Sequence, residues 1–179
     1  MLYTKDSLVG IDEPIQEVQE MIFTNLCAKW GLSEEDYKCY GRVYKTQVKD
    51  GYLPQGYISG KEYQNLFLDD KVSATSFFGC NTFRNENGMI HADVHLIFSV
   101  NLTELGYDVE HIPDEEVRMD VYRLFESNSM FQYNETVIEI DNVFREYTAW
   151  KKLIANRDMM PFHFFRLNFT VKYIPNNIC

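Results

Sequence analysis

Apolar and polar residues alternate most regularly between Met89 and Asn101. Ile90, Ala92, Val94, Leu96, Phe98 and Val100 take every second place, and His91, Asp93, His95, Ser99 and Asn101 fall between them. Successive side chains of a strand point to opposite faces, so the stretch predicts a strand with one apolar and one largely polar face. At ~3.3 Å per residue it would run roughly 40 Å, which suits the central member of an antiparallel sheet. Such a strand needs a core on one side only. Phe162 to Ile174 repeats the pattern, with Phe165, Leu167, Phe169, Val171 and Tyr173 inward and Arg166, Asn168, Thr170 and Lys172 outward. Lys71 to Phe83 reads as extended, and Asn87-Gly88 within the following polar run is a tight-turn signal, so residues 71–101 are expected to form a long hairpin.

Helical spacing is clearest after Pro14, where Ile15, Val18, Ile22 and Leu26 recur before Gly31. A helix over about 14–30 follows, with Asp12 and Glu13 at its positive end. Residues 1–13 are read as an N-terminal arm or strand-like lead-in. A second helix is expected from Pro113 through Asp114, Glu115 and Glu116, with Val117, Val121, Leu124 and Phe125 as its stripe and Ser127-Asn128-Ser129 at its end. Thr136 to Ile140 reads as a short strand. Asp141-Asn142 then caps a third helix that places Val143, Tyr147, Trp150 and Ile154 on one face and stops at Pro161.

Tyr37 to Val48 reads as one strand ending in the Lys49-Asp50-Gly51 turn, and Lys61 to Leu68 as a short strand or a helical turn. Between them lies GYLPQGYISG. Proline offers no amide proton to a ladder and glycine weakens one, so residues 51–60 are expected to be a protruding loop. The order of elements predicts an α+β domain, a mainly antiparallel sheet with helices packed on one face.

Composition narrows the function classes. The 179 residues, without a Pro/Gly/Ser-rich linker, suit a single domain over 1–179, and 45% hydrophobic content suits a folded one. A formal charge of -10 argues against a protein that grips phosphates. The four cysteines show no paired spacing, the opening residues carry no export signal and no stretch is long and apolar enough for a membrane span. The expectation is reduced thiols in a soluble, unexported chain without membrane contact. The N-x-T triplets at Asn101, Asn134 and Asn168 are then chance matches.

His91, Asp93 and His95 form the sharpest chemical candidate, since two imidazoles or an imidazole and a carboxylate two apart on a strand can share a zinc ion. Three residues spread over ~13 Å cannot all do so, and His111 and His163 stand isolated. A polar solvent-facing or subunit-facing surface is the favoured reading, so neither metal nor cofactor is expected. The acidic run Glu104, Asp108, Glu110, Asp114, Glu115 and Glu116 lacks the order of a calcium loop and reads as a solvated face. There is no nucleophile elbow or phosphate loop. Thirteen Phe, twelve Tyr and two Trp exceed what one small core readily hides, which points to subunit interfaces. Tyr52, Leu53, Tyr57 and Ile58 in the 51–60 segment are the candidate oligomer contacts.

The element order, with an amphipathic N-terminal helix (Pro14 to Trp30), a long hairpin (Lys71 to Asn101), an acidic-start helix (Asp114 to Glu126) and a long final strand (Phe162 to Ile174), resembles that of the tail-terminator or neck-ring head-tail connector proteins of tailed bacteriophages. The Tyr-, Phe- and Asn-rich style is similar to that of virion proteins of crAss-like phages. The segments 51–60 and 141–160 depart from the simplest such pattern. The resemblance implies a non-enzymatic virion protein, assembled in the host cytoplasm as a ring of six or twelve. It would sit between portal-side and tail-side proteins and let genomic DNA pass without specific binding. A small cytoplasmic binding or adaptor module is the alternative, and a hydrolase using His91 and Asp93 is the least favoured.

Overall fold

The computed structural model describes residues 1–107, 112–150 and 161–174. Its centre is β7 (Met89–Asn101), paired antiparallel on one side with β6 (Ala74–Glu86) and on the other with β9 (Phe162–Tyr173). The hairpin turns where expected. Asn87 at φ 55° and Gly88 at φ 83° form the two-residue loop between the paired Glu86 and Met89, and the Gly88 N–H donates to Asn85 Oδ1. Both central residues need positive φ, which is why this dipeptide suits the turn.

Two further strands, β1 (Leu2–Tyr3) and β2 (Tyr37–Arg42), extend the sheet in parallel beyond β6, and β8 (Phe131–Val137) closes the far side against β9. The strand order is β1-β2-β6-β7-β9-β8. The α+β class and the predominance of antiparallel pairing follow from these ladders. Residues 1–13 are docked: the terminal amine donates to the Tyr37 carbonyl and Lys5 pairs with Asp12 at 3.0 Å.

Helix α1 (Asp12–Trp30) buries Ile15, Val18, Ile22, Leu26 and Trp30 against the face carrying Val94, Leu96, Phe98, Phe165, Leu167 and Phe169. Each such side chain contributes about 1.5–3 kcal/mol on burial. Gly31 ends the helix at φ 67°, as the sequence predicts. Helix α2 (Asp114–Arg123) adds Val117 and Val121 to the same core. A carboxylate ties the two helices together: Asp120, 8% exposed, accepts from Trp30 Nε1 at 3.3 Å and from the Tyr107 hydroxyl.

The opposite face of the sheet is also covered, which overturns the expectation of a core on one side. Phe77, Ile97 and Phe164 project from it into a second core with Val143, Phe144, Tyr147 and Trp150. Ile97 breaks the polar alternation of β7, Phe77 lies directly opposite it on β6, and Phe164 lies opposite Ser99 one step further along β9, so this end of the face is apolar. Much of the aromatic surplus is used here: Phe77 meets Tyr147 and Trp150 edge-on at 5.4 and 5.5 Å.

The rest of the second core comes from a small sheet, β3 (Tyr44–Val48), β4 (Gly51–Ser59) and β5 (Glu62–Asn65), in the order β3-β4-β5. Tyr37 to Val48 is therefore two strands, separated at the buried Val43, where the chain leaves one sheet for the other. The protruding loop expected over 51–60 is corrected to the central strand of the small sheet. Pro54 is tolerated because its main-chain groups face β5: its carbonyl takes the Leu66 N–H at 2.8 Å, just past the end of that strand. The absent amide proton thus points beyond the ladder.

Two further boundaries differ from expectation. The short strand lies at 131–137 rather than 136–140, because a half-exposed edge strand, QYNE on its outer half, carries little apolar signal. The expected third helix is interrupted: α3 (Ile140–Val143) is followed by a turn over 144–146, with Tyr147 N–H bonded to Phe144 O at 2.9 Å, and helical residues resume at 148–150, while the rest of the expected helix, 151–160, lies outside the described residues. Val143, Tyr147 and Trp150 still share one buried side; Ile154, like Asp108, Glu110, His111 and Cys179, lies outside the described residues.

Candidate functional site

The face carrying His91, Asp93 and His95 does form a concavity, a groove of about 320 Å³ floored by β7 and β9. The three residues do not converge in it. Asp93 is held by Arg84 across the hairpin at 2.7 Å, His91 approaches Glu86 at 3.8 Å, and His95 is 1% exposed with Nε2 3.2 Å from the Tyr147 hydroxyl. Each takes a different partner because the pleat separates them along the strand. Among the described residues no cluster of three or more His, Cys, Asp or Glu is arranged to hold a metal ion.

The chemistry of the groove belongs to residues the sequence reading set apart. Arg166, assigned outward, is 1% exposed and donates to Glu146 through both terminal nitrogens, Nη2 at 3.0 Å; its Nε donates to Asn168 Oδ1 at 2.7 Å. Glu146 also accepts from Arg145 at 3.0 Å and Asn81 at 2.9 Å. Burial pushes the Glu146 carboxyl up, but the Arg166 hydrogen bonds and charge outweigh it and hold it down to about 2. Burial, then the Arg166 charge, lowers His95 to about 3, so this imidazole is neutral near pH 7. Its Nδ1 has no hydrogen-bond partner among the described residues. The nearby Cys80 thiol is pushed up to about 12 by burial, far from a nucleophilic thiolate. The arrangement is a paired polar network locking β6, β7, β9 and the 143–147 turn together. The glutamate was legible only as one more charge in a stretch read as helix.

Stability should consequently fall on acidification from below pH 6.5. Burial and the Arg118 charge lower His163 to about 4, and with His95 this makes two imidazoles that the unfolded chain protonates near pH 6.5 and the folded chain resists. Both pKa values are depressed, so their contribution is present above pH 6.5 and is lost as pH falls towards 4 and 3; Glu146 adds the same sign from about pH 4.5 down to 2. Each histidine adds a slope of about 1.4 kcal/mol per pH unit. Urea unfolding at pH 7, 6 and 5 checks this, and His163→Gln should flatten the slope.

The candidate contacts of the 51–60 segment divide. Leu53 is 4% exposed and belongs to the second core, and Ile58 packs against that core partly buried. Tyr52 is exposed and Tyr57 half-buried. With Tyr44 and Tyr63, both exposed, Tyr57 forms an edge-to-face cluster with centroids 5.5–5.6 Å apart. Cations lie against these rings: Lys5 over Tyr44 and Tyr63, Arg42 over Tyr44, Lys45 over Tyr52. Lys5 and Arg42 share the single carboxylate of Asp12, leaving positive charge in excess.

At the far end of the large sheet, the outer edge of β8 has no strand beside it among the described residues. Next to it, α2 and β8 enclose a groove of about 270 Å³ lined by Met119, Tyr122 and Tyr133. No protein-family model, curated protein or solved structure matches the chain.

Proposed function

We propose that the protein is a structural subunit that acts by self-association, a ring-forming virion protein of the phage neck or tail that joins portal-side to tail-side proteins. The observation that carries this reading is the open outer edge of β8. It is seven residues long, largely exposed and without the lysine or proline that commonly blunts an edge strand. Its row of main-chain donors and acceptors suits addition of a neighbouring chain. The formal charge of -10 fits a channel through which DNA passes without sticking. A contact that uses different patches on its two sides closes into a ring when the rotation allows.

The test is assembly of the purified chain. Light scattering at micromolar concentration should give a mass of six or twelve copies, and negative-stain electron microscopy should show closed rings. A strictly monomeric species under both conditions overturns the reading.

A further inference from the structure

The N-terminal arm, α1 and β2 meet around a small cavity of about 10 Å³, whose walls include Tyr3, Lys5, Asp12, Gln19, Gly41 and Arg42. Every residue that lines it is buried or half-buried. Gln19, 1% exposed, reaches it from α1, and its Nε2 donates to the Tyr3 carbonyl at 3.0 Å and to the Cys39 carbonyl at 2.9 Å. Two acceptors fix the amide, since turning it over would set its oxygen against both carbonyls. Oε1 therefore faces Gly41, where an added methyl carbon would stand 3.0 Å from it. This oxygen is buried and takes no hydrogen bond from the described residues. A bare buried acceptor is costly, and native proteins nearly always supply it with a donor.

We infer that the cavity is a binding site for one structural water molecule, which donates to Gln19 Oε1 and ties the N-terminal arm to α1 and to the bend of β2. Chemistry selects the occupant. An acceptor oxygen asks for a donor, which excludes an anion. The Lys5 ammonium and the Arg42 guanidinium share one carboxylate, Asp12, so a further cation would be repelled. The volume is about that of a single water-sized sphere, which leaves no room for a larger neutral molecule. A buried water makes about three hydrogen bonds, and the polar walls at Lys5, Asp12 and Gln16 offer the others. Gly41 keeps the site open. It lies where β2 slips register against β6, between Cys39 and Arg42, just before the chain leaves the large sheet at Val43. Its φ is not positive, so a side chain there would meet no backbone strain and would instead take the space in front of Oε1.

High-resolution crystallography of the wild type should show a water within hydrogen-bond distance of Gln19 Oε1. Oxygen-17 relaxation dispersion should detect a long-lived water that Gly41→Ala abolishes. Alanine at 41 leaves both Nε2 bonds in place but sets its methyl carbon before Oε1, so the unfolding equilibrium constant in urea should rise about 10-fold. In a Gln19→Met background, where that oxygen is absent, the same change should have little effect. A dry cavity predicts the reverse: the methyl group would fill empty space and remove glycine's freedom in the unfolded chain, leaving stability unchanged or higher. That result overturns the site. So does a wild-type structure in which a protein group donates to Oε1, or a dispersion signal equal in the two proteins. If Gly41→Ala does not fold, the density beside Oε1 in the wild type decides alone.

Discussion

Replacing Glu146 with alanine should lower the unfolding free energy by about 3–5 kcal/mol, since it leaves a buried guanidinium without its counter-charge. Arg166 is 1% exposed and the Glu146 side chain 11% exposed, so neither is well placed to exchange the ion pair for water. The remaining partners of Arg166, the Asn168 amide oxygen and the Val143 carbonyl at 3.5 Å, are neutral. A loss of that size is a large fraction of the 5–15 kcal/mol typical of a domain. The pair as a whole is a different matter. Desolvating two charges offsets much of their attraction, so Glu146→Leu combined with Arg166→Met should recover most of the loss. Urea denaturation of the two single variants and the double variant gives the coupling directly. A Glu146→Ala cost under 1 kcal/mol would show that water replaces the carboxylate and that the network does not hold the second face together.

That network marks the boundary of what the sequence made legible. Period-two alternation located β7 and β9 almost to the residue because one face of β7 is apolar throughout and that of β9 is apolar from Phe165 to Tyr173. The Asn87-Gly88 turn was legible because positive φ at both positions admits few residue types. Helix α1 was legible from its spacing and its glycine stop. The second core was not, because its contributions are scattered: Phe77, Ile97 and Phe164 come from three strands and meet Phe144 and Trp150 only in the fold. Arg166 was assigned outward by the same alternation, correctly as to face and wrongly as to burial. Period two says which side of a sheet a residue occupies and nothing about what lies over it. The candidate site divides in the same way: His91, Asp93 and His95 do share a face, but each is claimed by a neighbour invisible to spacing, Glu86, Arg84 and Tyr147 respectively.

The most deeply buried of those claims, on His95, gives the second large effect. Gly79 lies directly opposite His95 in the β6–β7 ladder, and the imidazole folds across it. A methyl group there would stand 2.2 Å from His95 Nε2, 2.5 Å from Cε1 and 2.5 Å from the Tyr147 hydroxyl, all far inside van der Waals contact. The ring cannot simply swing aside, being 1% exposed beneath a tyrosine that is itself 2% exposed. Gly79→Ala should therefore cost about 3 kcal/mol, the upper part of the range for overpacking a core. His95→Ala in the same background should return part of that loss, because the side chain that clashes is then absent. The alternative, that Gly79 is needed by the backbone alone, predicts no such rescue. Measured together by thermal and urea unfolding, the two variants decide whether the pairing of glycine with histidine at the centre of the longest hairpin is a packing requirement. If it is, His95 is a filled position of the frame, held between Gly79 and the Tyr147 hydroxyl.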